Sequence, residues 1–382
     1  MKSLLLIISN PRYFGPAWVF ASLNILFGTW AIYIPTVKED LAIDKSQLGM
    51  ALFFLSLGVF TIFPVAARII NRVGVGKTMG LSLFVLCITA LLPLLAPNLY
   101  ALMGALFLFG ASSGITDISM NTLVTELEKE DRTKFMSAAH GFFSLGGVLA
   151  GLGSFFILKL NNPPLHMLLA VVLVIGVNFL FMKRYYHLKA APVEKEPFSL
   201  KVFKPLLLLG VVSFVSMGSE GAIVDWSGLY LKEISMAPET LWGLGFLAFS
   251  AMMTLGRFLG DAVSTKLGSV KIVALGALVA IMGYGLVLTT ATTLAIVGFA
   301  LCGLGFSVMV PELFRIGGNV KGVESSQGVS FIAGMGYSGF LLAPPLLGYV
   351  AKTSSLVSCF VIMLCCAILV LGATYFLNRK RI

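Results

Sequence analysis

The chain has 382 residues, 58% of them hydrophobic, and its 27 Lys plus Arg and 17 Asp plus Glu make only 12% charged, about half the share of an ordinary soluble domain. With a mean hydropathy of +0.96, too few polar residues remain to cover a water-soluble globule of this size. That excludes a soluble enzyme, and apolar runs of about 20 residues spread end to end exclude a single-span anchor.

Taken in chain order, residues 1–10 hold one lysine and a Leu/Ile run shorter than a signal-peptide core, so they are expected to form a cytosolic lead-in. The apolar runs then predict twelve membrane-spanning helices at about 15–35, 46–70, 79–96, 99–126, 135–158, 165–184, 205–231, 240–263, 271–290, 293–316, 325–350 and 355–377. The one long polar connection, 185–204, separates an N-terminal six-helix bundle (1–184) from a C-terminal one (205–382). With both termini cytosolic, only Lys38, Lys45, Lys159, Lys232 and Lys352 fall outside, and the other 22 Lys and Arg lie inside. The positive-inside rule favours that orientation. The two halves echo each other at an offset of 194: Gln47-Leu48-Gly49 with Leu241-Trp242-Gly243, and Arg72-Val73-Gly74 with Lys266-Leu267-Gly268. A duplicated six-helix unit is a mark of transporters built from repeats.

An ionisable side chain at mid-bilayer costs about 2.5–3.5 kcal/mol on insertion scales, so a span that keeps one has a use or a partner for it. In span one, Asn24 and Trp30 pair an amide with a flat indole, suited to the apolar face and hydroxyls of a sugar-like ligand; Trp30 equally suits a lipid-facing position. In span four, Asp117 and Asn121 share a helix face, as His140 and Ser144 do in span five. Pairing by depth across the turn near residues 130–131 sets Asn121 level with His140 and Asp117 level with Ser144. Asp117 is the expected proton-binding acid, with His140 and Glu220 of span seven as further proton-coupling candidates. A hydrogen-bond network that merely pins the helices is the competing reading. Asn121, Ser144, Asp225 and Trp226 complete the candidate substrate ligands. Asp225 lies about 140° around the helix from Glu220, nearer the outer mouth, where Trp226 and Tyr230 also suit an interface belt.

At the cytosolic helix ends, Arg68, Arg72, Glu126 and Arg132 in the first half and Arg257, Asp261, Glu312 and Arg315 in the second form a candidate gate of switchable ion pairs. Pro344-Pro345 is expected to break span eleven. Small-residue spacings such as Gly110-x-x-x-Gly114 and Gly147-x-x-x-Gly151 suit close helix packing. The five cysteines, 87, 302, 359, 365 and 366, sit in apolar runs without disulfide or metal spacing. Gly74-Val-Gly76-Lys77-Thr78 looks like the end of a phosphate-binding loop, but Asn71 stands where that pattern needs Gly.

Together these residues resemble the major facilitator superfamily. The turn Ala67-Arg68-Ile69-Ile70-Asn71-Arg72-Val73-Gly74-Val75-Gly76-Lys77 is similar to its Gly-x-x-x-Asp-Arg-x-Gly-Arg-Arg signature, with Ala67 in place of Gly and Asn71 in place of Asp. Asp117-Ile-Ser-Met-Asn121, His140-Gly-Phe-Phe-Ser144-Leu-Gly146 and Glu220-Gly-Ala-Ile-Val-Asp225-Trp226 resemble the YbjJ-type transporters of the bacterial inner membrane. Fucose permeases carry a similar acid-x-x-x-Asn spacing in span four, where the acid is implicated in proton coupling. The resemblance implies a proton-linked carrier of a small polar or amphipathic solute. No enzyme activity, cofactor, metal or nucleic acid is expected, since the basic residues are scattered between spans rather than gathered with aromatic platforms; the expected form is a monomer. Two other functions stay open: a proton-driven exporter, whose usual proline in span five is missing after Gly147-x-x-x-Gly151, and a membrane sensor or scaffold that transports nothing.

Overall fold

Asparagine and aspartate side chains set the starts of four long helices in a computed structural model that describes residues 2–133, 135–157, 162–189, 203–320, 323 and 325–379. A short helix α1 (Lys2–Ser9) leads into α2 (Pro11–Asp40), where Asn10 accepts the Arg12 amide at 3.0 Å. Helix α3 (Lys45–Val73) opens on a reciprocal box: Asp44 accepts from the Gln47 amide at 2.9 Å and the Gln47 side chain accepts from the Asp44 amide at 2.8 Å. Helix α4 (Val75–Leu91) ends in a short 3₁₀ turn that contains Pro93. Asn98 caps α5 (Leu99–Asp131), α6 (Met136–Ile157) follows, and Asn162 caps α7 (Pro163–Phe181). Each cap supplies an acceptor to a helix-end N–H that has no partner within the helix.

The second series is α8 (Phe203–Glu233), α9 (Leu244–Leu267), α10 (Ser269–Val287), α11 (Thr292–Phe306), α12 (Met309–Gly317), α13 (Ser325–Thr353) and α14 (Leu356–Arg379). The chain divides into two units, residues 1–194 and 195–382. Among the described residues, eleven helical stretches are long and apolar enough to cross a membrane, and the shorter apolar helix 138–153 within α6 makes a twelfth. In chain order these correspond to the twelve expected spans, with α11 and α12 sharing span ten. Residues 190–202 of the expected connection lie outside the described residues.

The repeat expected at an offset of 194 is written into the backbone. Gly74 and Gly268 each end a helix at positive φ, +96° and +83°. Ala42 and Met236 are left-handed at 48° and 52° at the same offset. Helix pairing repeats as well. Within the first unit α2 packs along α6, α3 along α5 and α4 along α5; within the second, α8 packs along α13, α9 along α11 and α10 along α11. Because Gly alone adopts those two cap conformations without strain, Gly74→Ala and Gly268→Ala should each lower stability by about 1 kcal/mol, read as matched falls in thermal midpoint. One cap alone losing stability would mark the repeat as superficial.

Two expectations about helix continuity are corrected. Pro344 and Pro345 lie inside a continuous α13, whereas span ten, expected as one helix, is interrupted at Ser307–Val308. Pro311 accounts for the interruption: it has no N–H to offer the Ser307 carbonyl four residues back, and its ring crowds that carbonyl.

Candidate functional site

In the first unit the expected polar residues meet. The Asn121 amide nitrogen lies 3.1 Å from Asp117 Oδ1 and 2.9 Å from the Asp117 carbonyl, while Asn121 Oδ1 lies 3.1 Å from His140 Nε2. Since a carboxylate only accepts, the amide must turn its nitrogen to Asp117 and its oxygen to the imidazole. That orientation requires a proton on His140 Nε2. Asp117, Asn121 and His140 thus form one directed chain across α5 and α6, with the Phe20 ring edge-on to the imidazole at 5.0 Å. Pairing by depth foresaw this contact. The turn that sets the register is held by Glu128, whose carboxylate caps α6 through the Phe135 and Met136 amides at 2.5 and 2.7 Å. Arg132, left-handed at φ 50°, closes α5 onto the Glu128 carbonyl.

Ser144 is buried one turn beyond His140. Beside it Asn24 of α2 donates its amide to the Phe143 carbonyl at 2.9 Å. That nitrogen therefore ties α2 to α6, and the side-chain oxygen is what Asn24 has to offer a ligand. Trp30 is 1% exposed, which corrects the lipid-facing alternative, and its buried indole N–H has no acceptor among the described residues. Trp226 is equally buried, with an indole N–H likewise left over. Neither indole presents an open face in this conformation. Tyr230 is also fully buried, donating to the Val287 carbonyl at 2.8 Å, so it is a packing residue rather than part of an interface belt.

In the second unit the largest correction concerns Arg257. Expected at the cytosolic end of span eight, it sits near the middle of α9 and reaches Glu220 on α8, Nη2 to Oε1, at 3.7 Å. Both side chains keep a sixth of their surface open, 17% and 16%. Arg257 thus places a guanidinium well inside its helix instead of at the expected gate. Asp225 is half-buried and makes no hydrogen bond or ion pair with a described residue.

The expected gate residues are placed differently from the expectation. Arg68 and Arg72 are exposed and form no ion pair with a described residue, and Glu126 pairs along its own helix with Lys129 at 3.0 Å. The ion cluster at that end of the unit is one the sequence reading missed: Arg12 at the start of α2 bridges Glu130 at 3.0 Å and Asp131 at 2.9 Å, and the Tyr13 hydroxyl donates to Asp131 at 3.0 Å. The available signal was topological, because the start of span one and the end of span four must lie on one side of the membrane. Glu312, expected at a solvated helix end, is only 2% exposed; its partner is Arg315, 2.9 Å away, which also donates to Ser264 at 2.8 Å. The Asp261 side chain lies outside the described residues.

The chain matches the model of the Major Facilitator Superfamily over residues 18–321. It is 32% identical over 332 residues to an uncharacterized MFS-type transporter of Yersinia pestis, covering 86% of this chain and 85% of that one. It is 29% identical over 375 residues to the membrane protein MosC of Rhizobium meliloti, covering 96% and 90%. Among solved structures, the nucleoside transporter NupG superposes with a TM-score of 0.74 over 97% of this chain and 99% of that one, at 12% identity.

Proposed function

Since the chain belongs to the major facilitator superfamily, a family of transporters and not of enzymes, we propose that this multi-pass membrane protein works by proton-coupled symport of a small organic solute. The observation that carries the reading is the Asp117–Asn121–His140 chain. An acid kept within a span needs a use, and here its carboxylate is oriented by an amide whose other end an imidazole reads. Proton binding at Asp117 changes what the Asn121 nitrogen sees, so the charge state of one helix is communicated to the next. Glu220 and Asp225 supply further acids within α8, and Asn24 and Ser144 add polar groups beside the His140 face of α6.

Both termini are proposed to face the cytosol of a bacterium, with the protein in its inner membrane as a monomer; the concentration of Lys and Arg on one set of connections supports that orientation. The test is proton movement on addition of solute. In proteoliposomes loaded with a pH-sensitive dye, each transported solute should acidify the lumen as it enters, in proportion to uptake. Uptake with no proton movement, at any imposed gradient, would overturn the coupling while leaving the carrier intact.

A further inference from the structure

We infer that the turn between α3 and α4 is the anchor for the connection that leaves α7, and that this connection in return caps the start of α4. The inference stands apart from the transport reading and holds whether or not protons accompany the solute.

The contact begins with one backbone hydrogen bond. The Gly76 amide donates to the Leu188 carbonyl at 3.1 Å. Gly76 is the second residue of α4, so its N–H is one of the helix-start donors that no carbonyl of its own helix can reach. The N-cap residue, Gly74, has no side chain to accept it. Leu188 therefore does for α4 what Asn98 and Asn162 do for α5 and α7, with an acceptor brought from outside the helix.

Room for the connection is made by missing side chains. A Cβ on Gly76 would fall on the Tyr185 carbonyl, one on Gly15 of α2 would press on the Tyr185 ring at 3.1 Å, and one on Gly80 of α4 would touch the Tyr186 ring at 3.4 Å. Tyr185 is fully buried and donates its hydroxyl to Asn178 of α7 at 2.5 Å. The Tyr186 amide bonds the Met182 carbonyl at 2.9 Å and the Leu188 amide the Tyr185 carbonyl at 3.0 Å, so the chain forms a closed elbow before it meets α4.

The duplication supplies an internal control. At the offset of 194, Gly15, Gly76 and Gly80 correspond to Leu209, Val270 and Ala274, whereas Gly74, whose positive φ the turn needs, stays glycine as Gly268. A Cβ on Gly268 meets nothing within 4 Å, while one on Gly74 meets the Leu188 carbonyl at 3.6 Å and the Lys189 side chain at 3.8 Å. Turn geometry is thus kept in both halves, and the extra glycines belong to the half in which a chain lies against the turn. The two arginines that close the superfamily signature are Val75 and Gly76 here. An arginine at 76 would have to pass through the Tyr185 carbonyl, so that departure and the docked elbow go together. The Gly-x-Gly-Lys run is accounted for as well, since the amide that a phosphate would need is spent on Leu188. A pull on the connection is then taken up at the α3–α4 turn, as well as by α7.

Amide hydrogen exchange on the full-length protein in lipid nanodiscs reads both partners. In wild type, Gly76 should be protected at least about tenfold more than Val270, its counterpart as second residue of α10. Leu188→Pro removes the hydrogen bond that closes the elbow without touching the turn, and it should bring Gly76 down to the level of Val270. Gly76→Ala works from the other side. The Tyr186 and Leu188 amides should lose about tenfold in protection, and trypsin should cut after Arg184 and Lys189, whose side chains are already exposed, about fivefold faster. Val270→Gly is the control and should leave residues 183–189 as in wild type. Gly76 no better protected than Val270 in wild type, or either partner unchanged when the other is altered, would overturn the inference. Should Gly76→Ala fail to fold, Leu188→Pro decides it alone.

Discussion

Asp117→Asn is expected to abolish accumulation driven by a pH gradient while sparing exchange of solute across a membrane with no gradient. The substitution keeps the size of the side chain and its acceptor oxygen, so the Asn121 amide, 3.1 Å away, retains its partner and the contact with His140 survives. What is lost is the capacity to take up and release a proton. In a carrier moving one proton per solute, a gradient of one pH unit is worth 1.36 kcal/mol and supports at most about tenfold accumulation. The variant should hold the ratio at one. Counterflow, in which labelled solute enters against unlabelled solute inside, needs only the reorientation of the loaded carrier and should stay within about threefold of wild type. Proteoliposomes measure both on one preparation. Tenfold accumulation by the variant would exclude Asp117 as the coupling acid, and loss of counterflow together with accumulation would make it a helix-pinning residue instead.

The same residues show how far the sequence speaks for itself. Spans were legible because a bilayer demands about 20 apolar residues of a helix whatever its neighbours. The Asn121–His140 contact was legible for a related reason: two antiparallel spans joined by a short turn must match residues by depth. The duplication was legible at turns, since the backbone at Gly74 and Gly268 leaves little choice of residue. Contacts between distant spans obey no such rule. Arg12 and Asp131 are 119 positions apart and had no local reason to be paired. Arg257 was misplaced because α9 continues to Leu267, several residues past the expected end of its span, and a helix end judged too early puts a mid-helix charge at the interface. Burial of Trp30 and Trp226 depends on how whole helices lean together, which neither periodicity nor motif specifies. Span ten was read as continuous because the apolar run never stops, and only the missing N–H of Pro311 interrupts it.

Gly110→Ala and Gly303→Ala should be strongly damaging for so small a change, each costing about 3 kcal/mol, at the upper end of what overpacking does. A Cβ on Gly110 would fall inside contact distance of the Leu55 carbonyl of α3, and one on Gly303 would overlap the Phe249 carbonyl of α9. The atom in the way is backbone in both cases, so no rotamer change relieves the clash and the helices must part. Helices in a bilayer are held by close van der Waals packing and hydrogen bonds, without the drive of apolar burial from water. Parting them along a seam therefore removes much of what joins them. Since Leu55 and Phe249 are 194 positions apart and Gly110 and Gly303 are 193 apart, the two contacts are the same seam in the two halves, and the losses should match. Gly104→Ala on α5 and Gly285→Ala on α10 are the controls: an added methyl there meets no atom within 4 Å, and replacing a helical glycine by alanine favours the helix by about 0.5–1 kcal/mol. Thermal midpoints of the four variants in detergent should fall into two groups, Gly110→Ala and Gly303→Ala well below wild type and the controls at or above it. Equal midpoints across all four would show that the two seams yield to an added methyl and that close backbone approach does not hold these helix pairs together.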